Sequence, residues 1–234
     1  MNTVIPTIAV QGLVLAFLPA IVVFIIMYRW RAGAGTAMYA TLRMLVQLLL
    51  IGYVLIYIFK SDHYGVILGV LALMLLIAAW IAIRPLRVRN YRSYLHALIA
   101  IAVAGILTLA LVTQLVVGVE PWFSPRYIVP LAGMIFSGSM NAVSLAAERS
   151  QAERERGTPY EQARRVALQA SLIPVINTLF AVGLVSLPGM MTGQILSGVS
   201  PLVAAQYQIV VMAMLFGASG TAAALFLLLS SRTK

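Results

Sequence analysis

The sequence predicts an all-α integral membrane protein, and three observations support this fold class. Hydrophobic residues make up 62% of the 234 residues and charged residues only 9%, against about 25% charged in soluble proteins. Apolar runs of about 20 residues, the length of a membrane-spanning helix, recur along the whole chain. Basic residues lie mainly in the short segments between those runs. We therefore expect residues 1–234 to form a single transmembrane domain with about seven spans.

The predicted spans follow one another with short connections. The fifth begins near residue 127 and continues into a charged segment, and the last begins after Ser200. Ser200 followed by Pro201 is typical of a helix start, with a capping hydroxyl and then a proline in the first position. The other runs cover about residues 5–28, 36–59, 64–83, 95–117 and 168–188, and the last ends near residue 230.

The distribution of basic residues predicts the orientation. With alternate connections on opposite sides, one side receives 13 Lys and Arg residues, and the other receives only Lys60 and Arg126. Cytoplasmic connections carry such an excess in membrane proteins. We therefore expect a multi-pass protein of the cell (inner or plasma) membrane, with the N-terminus outside and the C-terminus in the cytoplasm. The net charge of +10 forms no basic face, so we expect membrane lipid and not nucleic acid as its partner.

The largest charged segment, at about residues 148–170, is predicted to form a cytoplasmic helical hairpin. Nine of the 22 charged residues of the chain fall within it. Gly157 suits the left-handed position that ends a helix. Thr158 then fits as the cap of the next helix, with Pro159 in its first position. Glu161, three residues after that cap, would complete a capping box.

A tight polar turn between two helices is suited to contact with a soluble partner, to which it could couple the membrane helices. Tyr160 and Ala163 would then be apolar contacts surrounded by arginines. The alternative is a solvated turn whose arginines only bind anionic lipid. The candidate coupling residues are Arg154, Arg156, Gly157, Thr158, Pro159, Tyr160, Glu161, Ala163 and Arg164.

The composition argues against an enzyme and against a transporter that drives itself. All six carboxylates lie outside the predicted spans, whereas proton- or sodium-driven transporters keep acids or histidines within them. Neither lysine of the chain belongs to a phosphate-binding loop motif. Cysteine is absent, so thiolate metal sites and disulfides are excluded. If the protein pumps a solute, ATP and Mg must bind to a separate chain.

Several residues within the predicted spans and in the stretch 183–201 are candidates for a translocation pathway. Arg43 is the one charge inside a span, and Gln47 lies one turn further along the same face. Arg43 either serves transport or extends its side chain to the cytoplasmic headgroups, and both interpretations stay open. The remaining candidates are Met134, Met140, Asn141, Asn177, Met190, Met191, Gln194 and Gln208.

Two of these features have a simple structural alternative. Thioethers suit soft metals such as Cu(I), but methionine in an apolar bundle more often serves packing. The metal ligands, if any, are therefore not defined. The stretch 183–201 is rich in Gly, Pro and Ser. It is either a broken helix lining a cavity or an external loop that contains a short helix.

Several strings of residues resemble one known family. The most specific is Gly183-Leu-Val-Ser-Leu-Pro-Gly-Met-Met-Thr-Gly193, followed by Tyr207-Gln-Ile209; Pro130-Leu-Ala-Gly-Met134 and the run 51–59 add to it. Over about residues 43–215 the sequence resembles the FetB-type permeases. These are membrane subunits of an iron-exporting ABC transporter, related to plant half-transporters linked to aluminium tolerance.

The resemblance implies a permease that pairs with a cytoplasmic ATP-binding subunit, with two copies of each. It implies export of a metal ion such as iron, and it alone supports that substrate. The sequence departs from the family at Ser137–Met140, Asn177 and Phe180. A small organic or nucleotide-sugar solute is therefore the alternative cargo, and a membrane scaffold without a pathway is the alternative function.

Overall fold

The computed structural model describes residues 9–60 and 63–231. Over these residues the chain forms nine α-helices and one π-helical segment. The extended pairing described there is a single isolated bridge between Val182 and Ser186. The predicted all-α class is thus confirmed. The chain divides into two compact units, residues 1–60 and 61–234, and the predicted start of the first span near residue 5 lies outside the described residues.

The first unit contains α1 (Val10–Ala16), α2 (Leu18–Arg29) and α3 (Ala34–Phe59). α1 and α2 occupy the first predicted span, but the helix is interrupted at Phe17. Pro19 in the first turn of α2 explains the interruption. Proline has no N–H to donate, and its ring collides with the carbonyl group four residues earlier. α2 packs against α3.

The second unit has α6 and α9 at its centre. Both contact α5 and α7, while α4 packs against α5 and α6, and the short helix α8 packs against α9. The helices are α4 (Tyr64–Ala82), α5 (Tyr91–Ala110) with the π-helical segment Leu111–Val116, α6 (Pro125–Glu155), α7 (Tyr160–Ala181), α8 (Gly189–Leu196) and α9 (Pro201–Ser230).

Small side chains let these helices approach closely. A β-carbon built on Gly105 of α5 would lie 2.7 Å from a ring atom of Phe136 on α6. Helices in a membrane associate largely through such close packing. A buried cluster joins α6, α7 and α9 in the same way, and it consists of Ala142, Ala146, Ala167, Ala223 and Leu227.

Among the described residues, six stretches are long and apolar enough to cross a membrane. They are α1 with α2, α3, α4, α5 with its π-helical segment, α6, and α9. α7 is 22 residues long but is not among them, and its first two turns carry Glu161, Arg164 and Arg165. The predicted sixth span, at about residues 168–188, overlaps the second half of α7, which ends at Ala181, and stays a prediction.

The predicted start of the last span is confirmed. α9 begins with Pro201, and the N–H of Val203 donates to the side-chain oxygen of the capping residue Ser200 at 3.4 Å. The irregular stretch before it contains α8 between two glycines with positive φ, Gly183 at +84° and Gly198 at +92°.

Candidate functional site

The turn between α6 and α7 ends α6 as the sequence predicts. Gly157 has a φ of +81°, in the left-handed region. Its N–H donates to the carbonyl oxygen of Arg154 at 3.0 Å, and the N–H of Thr158 donates to that of Glu153 at 3.1 Å. These two bonds form a Schellman motif, which satisfies the last carbonyl groups of α6. The prediction for Gly157 is confirmed.

The predicted capping box at the start of α7 is wrong. Pro159 occupies the cap position before Tyr160, and no side chain caps the helix. The hydroxyl of Thr158 instead donates to Oε2 of Glu153 at 3.0 Å. A carboxylate makes a charge-assisted and therefore stronger hydrogen bond than a neutral partner does, and this bond turns Thr158 back toward α6.

Glu153 joins the two sides of this turn. It is only 9% exposed, and besides Thr158 it has two basic partners. Its Oε1 lies 2.7 Å from Nη2 of Arg149 and 3.3 Å from Nη1 of Arg156. Sequence reasoning did not single out Glu153. The signal was present in its spacing of four residues from Arg149, which places the two side chains on one helix face.

Two of the predicted partner contacts are occupied within the chain. Ala163 is fully buried. Contrary to the prediction, its side chain is therefore not available to a soluble partner. Tyr160 is half-buried, and its hydroxyl donates to the carbonyl oxygen of Leu227 near the end of α9. Burial raises the pKa of Tyr160 above its ordinary value. Tyr160 therefore ties α7 to α9.

The surface available at the turn is polar. Arg164 lies 3.4 Å from Glu161 through Nη2 and Oε1, and its guanidinium carbon is 6.0 Å from the ring centroid of Tyr160. Thr158 is half-buried, like Arg164. The exposed members of the predicted coupling set are Arg154, Arg156, Gly157, Pro159 and Glu161.

Six of the eight predicted translocation residues of the second unit line three separate cavities. The α8 cavity, of about 570 Å³ between α6, α8 and α9, brings together Met134, Met190 and Gln194. Oε1 of Gln194 is buried there without a hydrogen-bond partner. Arg126 lies on the wall of this cavity. Its positive charge disfavours a bare cation and favours a ligand with an anionic group.

The α9 cavity, of about 500 Å³, is lined by Gln208 and Met191. Gln208 is 4% exposed, and neither its amide nitrogen nor its amide oxygen has a hydrogen-bond partner. An unsatisfied buried polar group costs about 1–3 kcal/mol. Because Gln208 lies within a helix long and apolar enough to cross a membrane, it stays a candidate for the translocation pathway.

A smaller cavity of about 190 Å³ between α6, α7 and α9 is lined by Asn141 together with Ser171, Thr178 and Ser219. Met140 on α6 is half-buried and Asn177 on α7 is exposed. The structure thus does not gather the predicted residues into one site.

Arg43 and Gln47 belong to α3 in the first unit. Arg43 is half-buried and Gln47 is exposed. Within residues 9–60 and 63–231, no group of three or more His, Cys, Asp or Glu residues could hold a metal ion. The side-chain groups in these cavities that could coordinate a metal ion are neutral amides, hydroxyls and thioethers. Such ligands suit passage of a weakly held solute more than its tight storage.

Comparison with protein families matches residues 10–234 to the uncharacterised protein family UPF0014. No solved structure matches the chain.

Three relatives illustrate the range of this similarity. UPF0014 membrane protein slr1647 of Synechocystis is 37% identical over 193 residues, which cover 76% of this chain and 74% of the relative. The probable iron export permease protein FetB of Escherichia coli is 32% identical, over 88% of this chain and 84% of its own length. The protein ALUMINUM SENSITIVE 3 of Arabidopsis thaliana is 34% identical, over 79% of this chain and 72% of its own length. With six candidate spans and these relatives, the chain is a multi-pass membrane protein that belongs to the UPF0014 family.

Proposed function

We propose that the chain is the membrane-spanning permease subunit of an ATP-driven transporter that exports a metal ion such as iron. The similarity to the probable iron export permease of E. coli carries this proposal, because it extends over 88% of this chain. In this proposal the chain itself catalyses no reaction, and the metal ion is cargo and not a resident cofactor.

The energy would come from a cytoplasmic ATP-binding subunit that holds ATP and Mg. The α6–α7 turn supports this part of the proposal. Arg156, Gly157 and Pro159 are exposed at its tip, while the bonds to Glu153 fix the backbone beneath them. A fixed and exposed tip suits the transmission of motion from a docked subunit. A homodimer of permeases with two ATP-binding subunits completes the proposed assembly.

The route of the cargo would pass the buried amides of the second unit. Gln208 and Gln194 have amide oxygens without protein partners. The oxygen of Gln208 can coordinate a cation, whereas that of Gln194 shares its cavity with Arg126 and suits a cation only together with an anionic ligand. Arg43 and Gln47 of α3 are likewise proposed to serve transport. Extension of Arg43 to the headgroups remains the alternative for that pair.

A small organic or nucleotide-sugar solute is the second candidate cargo, and one observation favours it. Arg126 shares the α8 cavity with Gln194 and with apolar residues such as Val203. An arginine, an amide and an apolar wall together suit a solute with an anionic group and an apolar part.

The test is co-purification with candidate ATP-binding subunits, followed by reconstitution into proteoliposomes. We expect ATP hydrolysis to be stimulated by iron and efflux of iron to require ATP. If anionic organic solutes and not iron stimulate ATP hydrolysis, the cargo is the second candidate, a small organic or nucleotide-sugar solute. A complex that forms but shows neither stimulation nor efflux across the panel would indicate a scaffold. Gln206→Leu, at an exposed position of α9, serves as the control for Gln208→Leu in this assay.

A further inference from the structure

A separate cavity of about 510 Å³ lies beside the start of α5, at the opposite end of α6 from the α8 cavity. The connection between α4 and α5, the last turns of α6 and the end of α9 surround it. We call it the basic cavity. Its main polar lining consists of Asn90, Arg92, Ser93, His96, Gln151 and Arg154.

The charge of this cavity is positive. Arg92 and Arg154 line it, and among the described residues Glu155 is the one acid in its lining. Oε2 of Glu155 lies 3.2 Å from Nη1 of Arg87, and its Oε1 accepts a hydrogen bond of 2.9 Å from the amide of Gln151. The negative charge of Glu155 is thus already matched, and the two lining arginines remain to attract an anion.

The start of α5 adds hydrogen-bond donors. The side chain of Asn90 accepts from the N–H and the hydroxyl of Ser93, each at 2.7 Å. This cap leaves the N–H groups of Tyr91 and Arg92 without partners inside the helix. N–H groups at a helix start carry partial positive charge and bind phosphate groups readily.

The remaining lining is apolar. Leu86, Val88, Ala147 and Phe226 face the same cavity. The cavity lies at the arginine-rich ends of the spans, which the sequence places in the cytoplasm. Basic pockets between spans on this side of a membrane suit anionic lipid headgroups. An apolar wall beside the arginines also suits the start of an acyl chain.

We infer that the basic cavity binds a phosphate group through Arg92, Arg154 and the start of α5. The group is carried either by an anionic phospholipid of the bilayer or by free phosphate. This site is independent of the cargo that the protein transports. Because Arg154 lies three residues before Gly157 on α6, occupancy of the cavity would also steady the base of the α6–α7 turn.

The experiment measures thermal unfolding of the full chain in a neutral detergent. The probes are short-chain phosphatidylglycerol, short-chain phosphatidylcholine and inorganic phosphate. A ligand that binds only the folded state raises the unfolding midpoint as its concentration increases. We expect phosphatidylglycerol to raise the midpoint more than phosphatidylcholine does, and we expect added salt to reduce the difference.

The variants identify the site. Arg92→Gln with Arg154→Gln should weaken phosphatidylglycerol binding by about tenfold, and Arg92→Lys with Arg154→Lys should restore part of it. The control is Arg89→Gln, because Nη2 of Arg89 donates to the carbonyl oxygen of Arg84 at 2.9 Å and Arg89 does not line the cavity. If the glutamine variant does not fold, two other measurements test whether the arginines bind the phosphate group. Wild type should lose phosphatidylglycerol binding when salt is added, and the lysine variant should retain part of that binding.

The probes also distinguish the sources of the phosphate. Tighter binding of phosphatidylglycerol than of inorganic phosphate identifies a lipid, and equal affinity identifies free phosphate; both support the inference. Equal shifts with phosphatidylglycerol and phosphatidylcholine would overturn it, as would full binding by the glutamine variant. Loss of the ATP-binding subunit from that variant, with no effect of any phosphate probe on wild type, would assign the cavity to an acidic protein segment and also overturn the inference.

Discussion

The hydroxyl of Thr158 donates to Oε2 of Glu153 across the turn between α6 and α7 at 3.0 Å. This bond connects the residue after the helix-ending glycine to a buried acid in the last turn of α6. Arg149 and Arg156 occupy Oε1 of the same acid. The side chain of Glu153 therefore contacts both the end of α6 and the residue after Gly157, and these contacts restrain the backbone of the hairpin tip.

Replacement of that acid should loosen the tip. Glu153→Ala leaves Arg149 and the hydroxyl of Thr158 without their acceptor, at an expected cost of about 1–3 kcal/mol in the free energy of unfolding. The stimulation of ATP hydrolysis in the ATP-binding subunit should decrease in the same variant. Glu148→Ala, at an exposed position of the same helix, is the matched control and should change neither quantity appreciably. Equal behaviour of the two variants would contradict a central role for Glu153.

Gly157 should tolerate only residues that accept the left-handed conformation. Gly157→Val should cost about 1–2 kcal/mol at φ +81°, whereas Gly157→Asn should cost less because asparagine visits this region more readily. Gly189→Ala is the control, since a β-carbon there contacts nothing within 4 Å. Thermal unfolding and co-purification with the ATP-binding subunit check the result. Wild-type behaviour of Gly157→Val would show that the turn has another conformation.

The contact of Tyr160 with α9 predicts a dependence on alkaline pH. Burial raises the pKa of Tyr160 in the folded state above the unfolded value of about 10. Its hydrogen bond to the carbonyl oxygen of Leu227 therefore stabilises the fold fully below pH of about 10 and is lost as the pH rises through the higher folded value. Tyr160→Phe should be less stable than wild type at neutral pH, and the difference should vanish at the alkaline end. A constant difference across the titration would exclude this contact as its cause.

The buried amide of Gln208 should matter for transport and not for folding. Because its two polar atoms have no partner, Gln208→Leu should leave stability unchanged or increase it by about 1–3 kcal/mol. Efflux in proteoliposomes should be lost. The exposed Gln206→Leu should retain efflux. Full efflux by Gln208→Leu would remove the α9 cavity from the proposed route.

The orientation can be checked by labelling single cysteines, since the chain has no native cysteine. Ser197 and Ser231 are both exposed and lie at opposite ends of α9. With the predicted orientation, an impermeant thiol reagent added outside intact cells should label Ser197→Cys and not Ser231→Cys. The reverse pattern would invert the topology. Ser150 is unsuitable for this purpose because it is buried.

The sequence allowed prediction of features that depend on local chemistry. Gly157 ends α6 in the left-handed region, and Ser200 with Pro201 starts α9, because each depends only on neighbouring backbone groups. The capping box failed at Thr158 for a related reason. Its hydroxyl had two possible partners, and burial of Glu153, which results from tertiary packing, favoured the one that sequence spacing did not indicate.

The cavities could not be predicted in the same way. Met134 and Met190 are 56 positions apart in the chain and share the α8 cavity only because α8 packs on α9 beside α6. Arg126 and Gln194 line one cavity because of the same packing. Arg92 and Arg154 likewise line one cavity because α5 packs beside α6. The interruption at Phe17 is different, since Pro19 was visible in the sequence and its effect on the helix was missed.

α6 is continuous over 31 residues, which corresponds to a rod about 46 Å long. Arg126 of the α8 cavity lies near one end of this rod and Glu153 of the hairpin tip near the other. Pro130 lies inside α6 near its Arg126 end, where it removes one backbone hydrogen bond. If an ATP-binding subunit docks at the hairpin tip as proposed, this one helix is the direct covalent connection between the tip and the α8 cavity.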